Sequence, residues 1–274
     1  MQRSLPMFVL LLFGAPGFAQ TSTVPFIGCP SDGQVGPLAA PAGHARQLLI
    51  PPATAARLAW YKAANAPGVL APRGWHCFST YGSSRATLYI SPGPLTAKLV
   101  LPGNGWNGFS GSAIEISRTY GDTSGRFMVA EIIARVFPAH RDFVQKVIAE
   151  GIMPVKFSFG PYPTDKLTYK NKEMVEYITP ANTDGLGTNS ELKKDGAPIS
   201  GVAILAGEGP NLIHLATRLP PNMLDLTPAI IQQVERDAPR LQKIVLHARQ
   251  RAENRTKYLS SPTTLKNHSI SLNP

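Results

Sequence analysis

Residues 102–112 read PGNGWNGFSGS, with glycines at 103, 105, 108 and 111. Glycine lets backbone approach a ligand closely, and Trp106 and Phe109 offer flat apolar faces on which a sugar or aromatic ring can stack. Glu115, Arg118 and Asp122 follow directly. Two carboxylates with an arginine nearby are the equipment of glycoside hydrolysis, in which one acid protonates the leaving oxygen and one carboxylate attacks or activates water. The competing reading is an irregular surface loop, with Trp106 folded back on the core and Arg118 in an ordinary ion pair.

Other constellations are weaker. Gly108-Phe109-Ser110-Gly111 begins like a nucleophile elbow, but Ser112 stands where the second glycine is required, and no strand directly before it or helix after it is read. Residues 180–191 place Asn182, Asp184, Gly185 and Glu191 at calcium-loop positions, yet Pro180 occupies the first ligand position, so the stretch reads as a solvated loop. The six histidines show no paired metal-ligand spacing, and no phosphate-binding loop or dinucleotide fingerprint occurs. No metal and no cofactor is expected. His214 lies in an apolar strand and reads as a core residue. Arg236, Arg240, Lys243, His247 and Arg251 fall three and four apart, so a continuous helix aligns them on one face suited to a polyanion.

These residues need a scaffold, and its centre is the stretch 71–92, APRGWHCFSTYGSSRATLYISP. It reads as a β-hairpin over about 74–90, with Trp75, Cys77, Ser79 and Tyr81 on one face and His76, Phe78 and Thr80 on the other. Upstream, 20–41 reads as an extended arm and 44–50 as a short strand. Pro51-Pro52 opens an Ala-rich helix running to about residue 64. Downstream, 98–101 reads as a third strand. Residues 113–117 alternate, with Ile114 and Ile116 inward and Glu115 outward or into a cleft. Two apolar helices follow over 124–137 and 138–151, then strands over 153–159, 166–169, 173–178, 199–205 and 212–219. A last helix begins at Thr227-Pro228. Strands beside separate helices give an α+β class, with an antiparallel sheet built around the hairpin and four or five helices packed on it.

The address comes from the first nineteen residues. Arg3 precedes an apolar run over 7–13, and Gly17-Phe18-Ala19 supplies small residues before a cleavage point, so 1–19 reads as a signal peptide. Residues 20–258 then read as one α+β domain and 259–274 as a polar, frayed tail. No stretch is long and apolar enough to span a bilayer. In an oxidising compartment the two cysteines, Cys29 and Cys77, are expected to form a disulfide. The formal net charge of +10 predicts attraction to anionic material, and in a periplasmic or extracellular protein envelope polyanions rank above nucleic acid. The leading expectation is therefore an exported, non-enzymatic binder of an anionic or carbohydrate envelope ligand, with Trp106, Phe109 and Arg118 at the site. The alternative is a glycan hydrolase using Glu115 and Asp122.

Overall fold

A computed structural model describes residues 21–239 apart from 102, 104, 153, 155 and 208. The expected leader over 1–19 and tail over 259–274 lie outside these residues, as do Arg240, Lys243, His247 and Arg251 of the basic stripe.

The N-terminal arm forms strands β1 (Thr21–Val24), β2 (Phe26–Gly28) and β3 (Ser31–Gly33). After it come β4 (Arg46–Leu49), a single helical turn α1 (Pro52–Arg57), β5 (Leu58–Lys62) and β6 (Val69–Pro72). β1 pairs with β4, while β2, β5 and β6 form a three-stranded sheet. The expected helix to residue 64 stops at Arg57. Leu58, Ala59, Trp60 and Tyr61 are all buried, and a continuous apolar run rich in aromatic residues fits a strand covered on both faces better than an amphipathic helix.

The hairpin is present as β7 (His76–Tyr81) and β8 (Arg85–Ser91). Cys29 is bonded to Cys77 across 5.4 Å between Cα atoms, which pins the arm to β7. Residues 98–101 do not make a third strand. Ala97–Val100 is instead a short helical turn, α2, and the free edge of β8 is taken by β9 (Ala113–Thr119).

Two helices follow, α3 (Arg126–Val136) and α4 (Arg141–Ala149). Glu131 and Arg135 pair at 3.6 Å on the polar side of α3, one helical turn apart. No strand forms among the described residues of 153–159. β10 (Lys166–Asn171) turns directly back into β11 (Met174–Thr179), followed by the pair β12 (Ile199–Ala206) and β13 (Asn211–Arg218). A helix, α5, occupies 227–239; Thr227 is already helical, because the preceding Pro221–Leu226 forms a 3₁₀ turn into it.

The mixed α+β class holds, but the main sheet is wider than a hairpin-centred one. Eight strands run in the order β10-β11-β12-β13-β9-β8-β7-β3, and only the β3–β7 pairing is parallel. β9 lies at the middle and joins the two strong hairpins, whereas β7–β8 sits towards one edge. Both faces are covered. Leu88, Ile90, Ile114, Ile116, Ile213 and Leu215 pack with the N-terminal strands and α5. Tyr89, Ala113, Leu212, Ala216 and Leu205 pack with α3 and α4. Strand periodicity therefore sends neighbours in sequence to two different cores.

Candidate functional site

β8 projects Arg85, Thr87 and Tyr89 from the α3-facing side of the sheet at spacings of two. The partners across from them are Thr80 and Phe78 on β7, and Ser117 and Glu115 on β9. Arg85 Nη2 donates to Glu115 Oε1 at 2.6 Å, and the other carboxylate oxygen of Glu115 accepts from the backbone N–H of Glu191 at 2.6 Å. Burial raises the Glu115 carboxyl above its ordinary value, opposed by the Arg85 charge and the Glu191 N–H. Both of its oxygens accept hydrogen bonds and the residue is almost fully buried, so Glu115 anchors Arg85 from beneath and is not presented to the cavity.

The glycine-rich loop closes over this row. Phe109 exchanges backbone hydrogen bonds with the 191–193 segment: its N–H donates to Glu191 O at 2.6 Å, and Lys193 N–H donates back at 3.0 Å. At Gly108, φ is +89° and a Cβ would come within 2.3 Å of the Glu191 carbonyl oxygen, so only glycine fits. Arg218, almost fully buried, donates to Gly111 O at 2.9 Å and also to Lys193 O, while Asp195 accepts from Gly111 N–H at 2.5 Å. The clamped loop sets Trp106 edge-on to Tyr89 at 5.6 Å and to Phe109 at 5.1 Å between ring centroids. A cavity of about 530 Å³ remains, lined by Trp106, Tyr89, Arg85, Thr80, Thr87 and Glu191 among others. That volume lies within the range of about 300–1,000 Å³ typical of small-ligand sites.

The expected residues are distributed as follows. Trp106 is half-buried and faces the cavity, whereas Phe109 is buried behind it. Glu115 lies beneath the cavity floor, since the sheet is covered on both faces and leaves it 1% exposed. Asp122 is exposed in the turn after β9. The four strand steps from Glu115 to Thr119 already span ~13 Å, more than the ~5–9.5 Å that separates a glycosidase carboxylate pair. The structure does not bring these two acids together. Arg118, three residues from Glu115, points to the opposite face of the sheet, where it lines a separate cleft. Arg236 is exposed and donates to Leu49 O at 3.1 Å.

His214 is buried. Tyr177 Oη donates to Leu215 O at 2.8 Å and lies 2.8 Å from His214 Nε2, so the imidazole N–H supplies the proton of that second bond. Burial, with the nearby Arg85 charge, pushes His214 down to about 3, which keeps it neutral. Among the described residues, no three His, Cys, Asp or Glu side chains gather as a metal site would require.

Sequence reasoning missed Arg85, Tyr89 and Glu191. The first two were readable as one face of β8 by their spacing with Thr87. Glu191 joins them only through loop contacts, which no local pattern encodes. No family model, curated protein or solved structure matches this chain, so its site is read from its own residues.

Proposed function

We propose that this protein is an exported, non-enzymatic binder of a carbohydrate-class ligand, held in the cavity under Trp106. The observation that carries this reading is an aromatic wall facing a pre-formed cavity, with a fixed guanidinium at its base. Trp106 is braced by Tyr89 and Phe109, and Arg85 is held by Glu115 with its Nε left without a hydrogen-bond partner. A sugar ring fits such a site, because one face is apolar CH and its rim carries hydroxyls that accept from a guanidinium and donate to a carboxylate. The local charge favours a neutral ligand: Arg85 and Lys193 balance Glu115 and Glu191, with Lys193 at 3.6 Å from Glu191. Placement outside the cytoplasm is supported by the Cys29–Cys77 disulfide and by the leader-like first nineteen residues. Among the described residues no helix is long and apolar enough to cross a membrane.

A glycan array followed by calorimetry on the best hit tests this. Binding should be saturable, and Trp106→Ala should weaken it by at least about 2 kcal/mol, roughly thirtyfold, as expected of an aromatic anchor at the centre of a site. Absence of any glycan ligand, or unchanged affinity in Trp106→Ala, overturns the proposal.

A further inference from the structure

The opposite face of the sheet carries a second cleft, of about 470 Å³, between β2, β4, β5, the 64–68 loop, β9 and α5. Three cations line it: Arg46, Lys62 and Arg118. Asp237 is the one acid in the lining, and it is engaged by Arg46 at 3.2 Å. Arg46 is fixed further by lying 3.8 Å over the Trp60 ring, while Trp60 is backed by Gly68, where a Cβ would come within 2.4 Å of the indole. Arg46 is thus held in place by packing as well as by charge.

Arg118 is the unusual member. Its cross-strand neighbours are Ala86 and Ile213, which offer no side-chain acceptor. Its Nε is buried without a hydrogen-bond partner, and among the described residues it makes no ion pair. A half-buried guanidinium with no acceptor costs stability, and here it stands beside another cation. Burial first, and the Arg118 charge second, push Lys62 down to about 8. Lys62 Nζ donates to the Ala66 carbonyl, and Asp237, engaged by Arg46, is the one carboxylate among the described lining residues. An anion in the cleft would relieve the Lys62–Arg118 repulsion.

We infer that the Arg46–Lys62–Arg118 cleft is a binding site for a phosphate- or sulfate-type oxyanion, distinct from the Trp106 cavity. The three cations less Asp237 leave a formal charge of +2 in the lining, which a doubly charged tetrahedral group matches and a single carboxylate does not. Arg118 supplies an N–H fork suited to two oxygens of such a group, and Lys62 supplies a point charge. His44 lies exposed at the rim. A phospholipid headgroup presents the same tetrahedral oxygens with a single negative charge, so it shares the geometry but matches the +2 lining less fully than a free dianion.

The test is a titration of the full chain with inorganic phosphate, read by NMR at the Trp60 indole and by calorimetry. Saturable binding is expected, weakened at least about tenfold in Arg118→Gln, the effect of losing a charged hydrogen bond. Since Arg118 has no ion-pair partner among the described residues to abandon, that variant should melt no lower than the parent. Lys62→Met, tested separately, should weaken binding similarly. With sulfate, whose charge is constant over this range, affinity should fall as pH rises through about 8, where Lys62 loses its proton; the other charged or titratable groups lining the cleft are Arg46, Arg118, Asp237 and His44. Co-sedimentation with phosphatidylglycerol but not phosphatidylcholine vesicles, abolished by Arg118→Gln, would assign the oxyanion to a lipid headgroup; binding of phosphate without vesicle binding would assign it to a soluble ligand. No saturable binding of phosphate, or equal binding by both variants and the parent, overturns the inference.

Discussion

The two faces of the central sheet carry two clefts of similar size and opposite electrostatic character. Beneath Trp106 every charge is answered: Arg85 by Glu115, Lys193 by Glu191. Around Trp60 the cations outnumber the acid, and among the described residues Arg118 makes no ion pair. One strand supplies both sites. β9 turns Glu115 towards the first and Arg118 towards the second, because residues three apart in a strand face opposite ways. On the proposed reading, paired charge in one cleft suits a neutral ligand. Unpaired charge in the other indicates a site completed by what it binds.

This contrast can be broken at several points, taken here from the largest expected effect to the smallest. Removing the disulfide with Cys29→Ser and Cys77→Ser should cost about 4 kcal/mol in a denaturant melt, from the loop closure it supplies. Loss of much less would mean that the arm, which carries β2 and therefore one wall of the Trp60 cleft, is held independently of Cys77. Glu115→Ala should cost about 3 kcal/mol, because it strands the largely buried Arg85 charge. Arg118→Ala should cost less than about 0.5 kcal/mol or raise stability, since no ion pair is lost. Equal penalties at Glu115 and Arg118 would erase the distinction between the two faces.

The smallest effect is on pH dependence. Lys62 is held down at about 8 in the folded chain, from an ordinary value of 10.5. Between those values the unfolded chain binds more protons at this residue, so its contribution makes stability rise as pH goes from about 8 to about 10.5. Saturating sulfate should flatten that rise by keeping Lys62 protonated, and Arg118→Gln should shift its titration upwards. An NMR titration of the Lys62 side chain checks both, and an ordinary lysine titration in the parent would contradict the crowding described here.

How much of this was legible in the sequence depends on how local each cause is. The β7–β8 hairpin, the β12–β13 pair and the buried helix α3 follow from periodicity and turn residues. The disulfide follows from the count of two cysteines and the leader-like composition of the first nineteen residues. The Ala-rich stretch after Pro52 misleads, because helix propensity there yields to the burial of Leu58–Tyr61 as a strand, and with that misreading Trp60 and Lys62 lose their shared face. Residues 98–101 mislead for another reason: β9 returns from beyond the glycine-rich loop to occupy the edge of β8, a long-range choice that no window reveals. The alternation of 113–117 did separate Glu115 from its neighbours. Strand alternation alone sends Arg118 to the face opposite Glu115, but only the covering of both sheet faces shows that each lies at a separate cleft, and the end of β9 at Thr119 leaves Asp122 in the turn beyond.

The most direct measurement of this two-site account is a single NMR titration with inorganic phosphate, following the indole N–H signals of Trp60 and Trp106 together. The account predicts a saturable shift at Trp60, with Trp106 unmoved. A shift at Trp106 with Trp60 silent would contradict it.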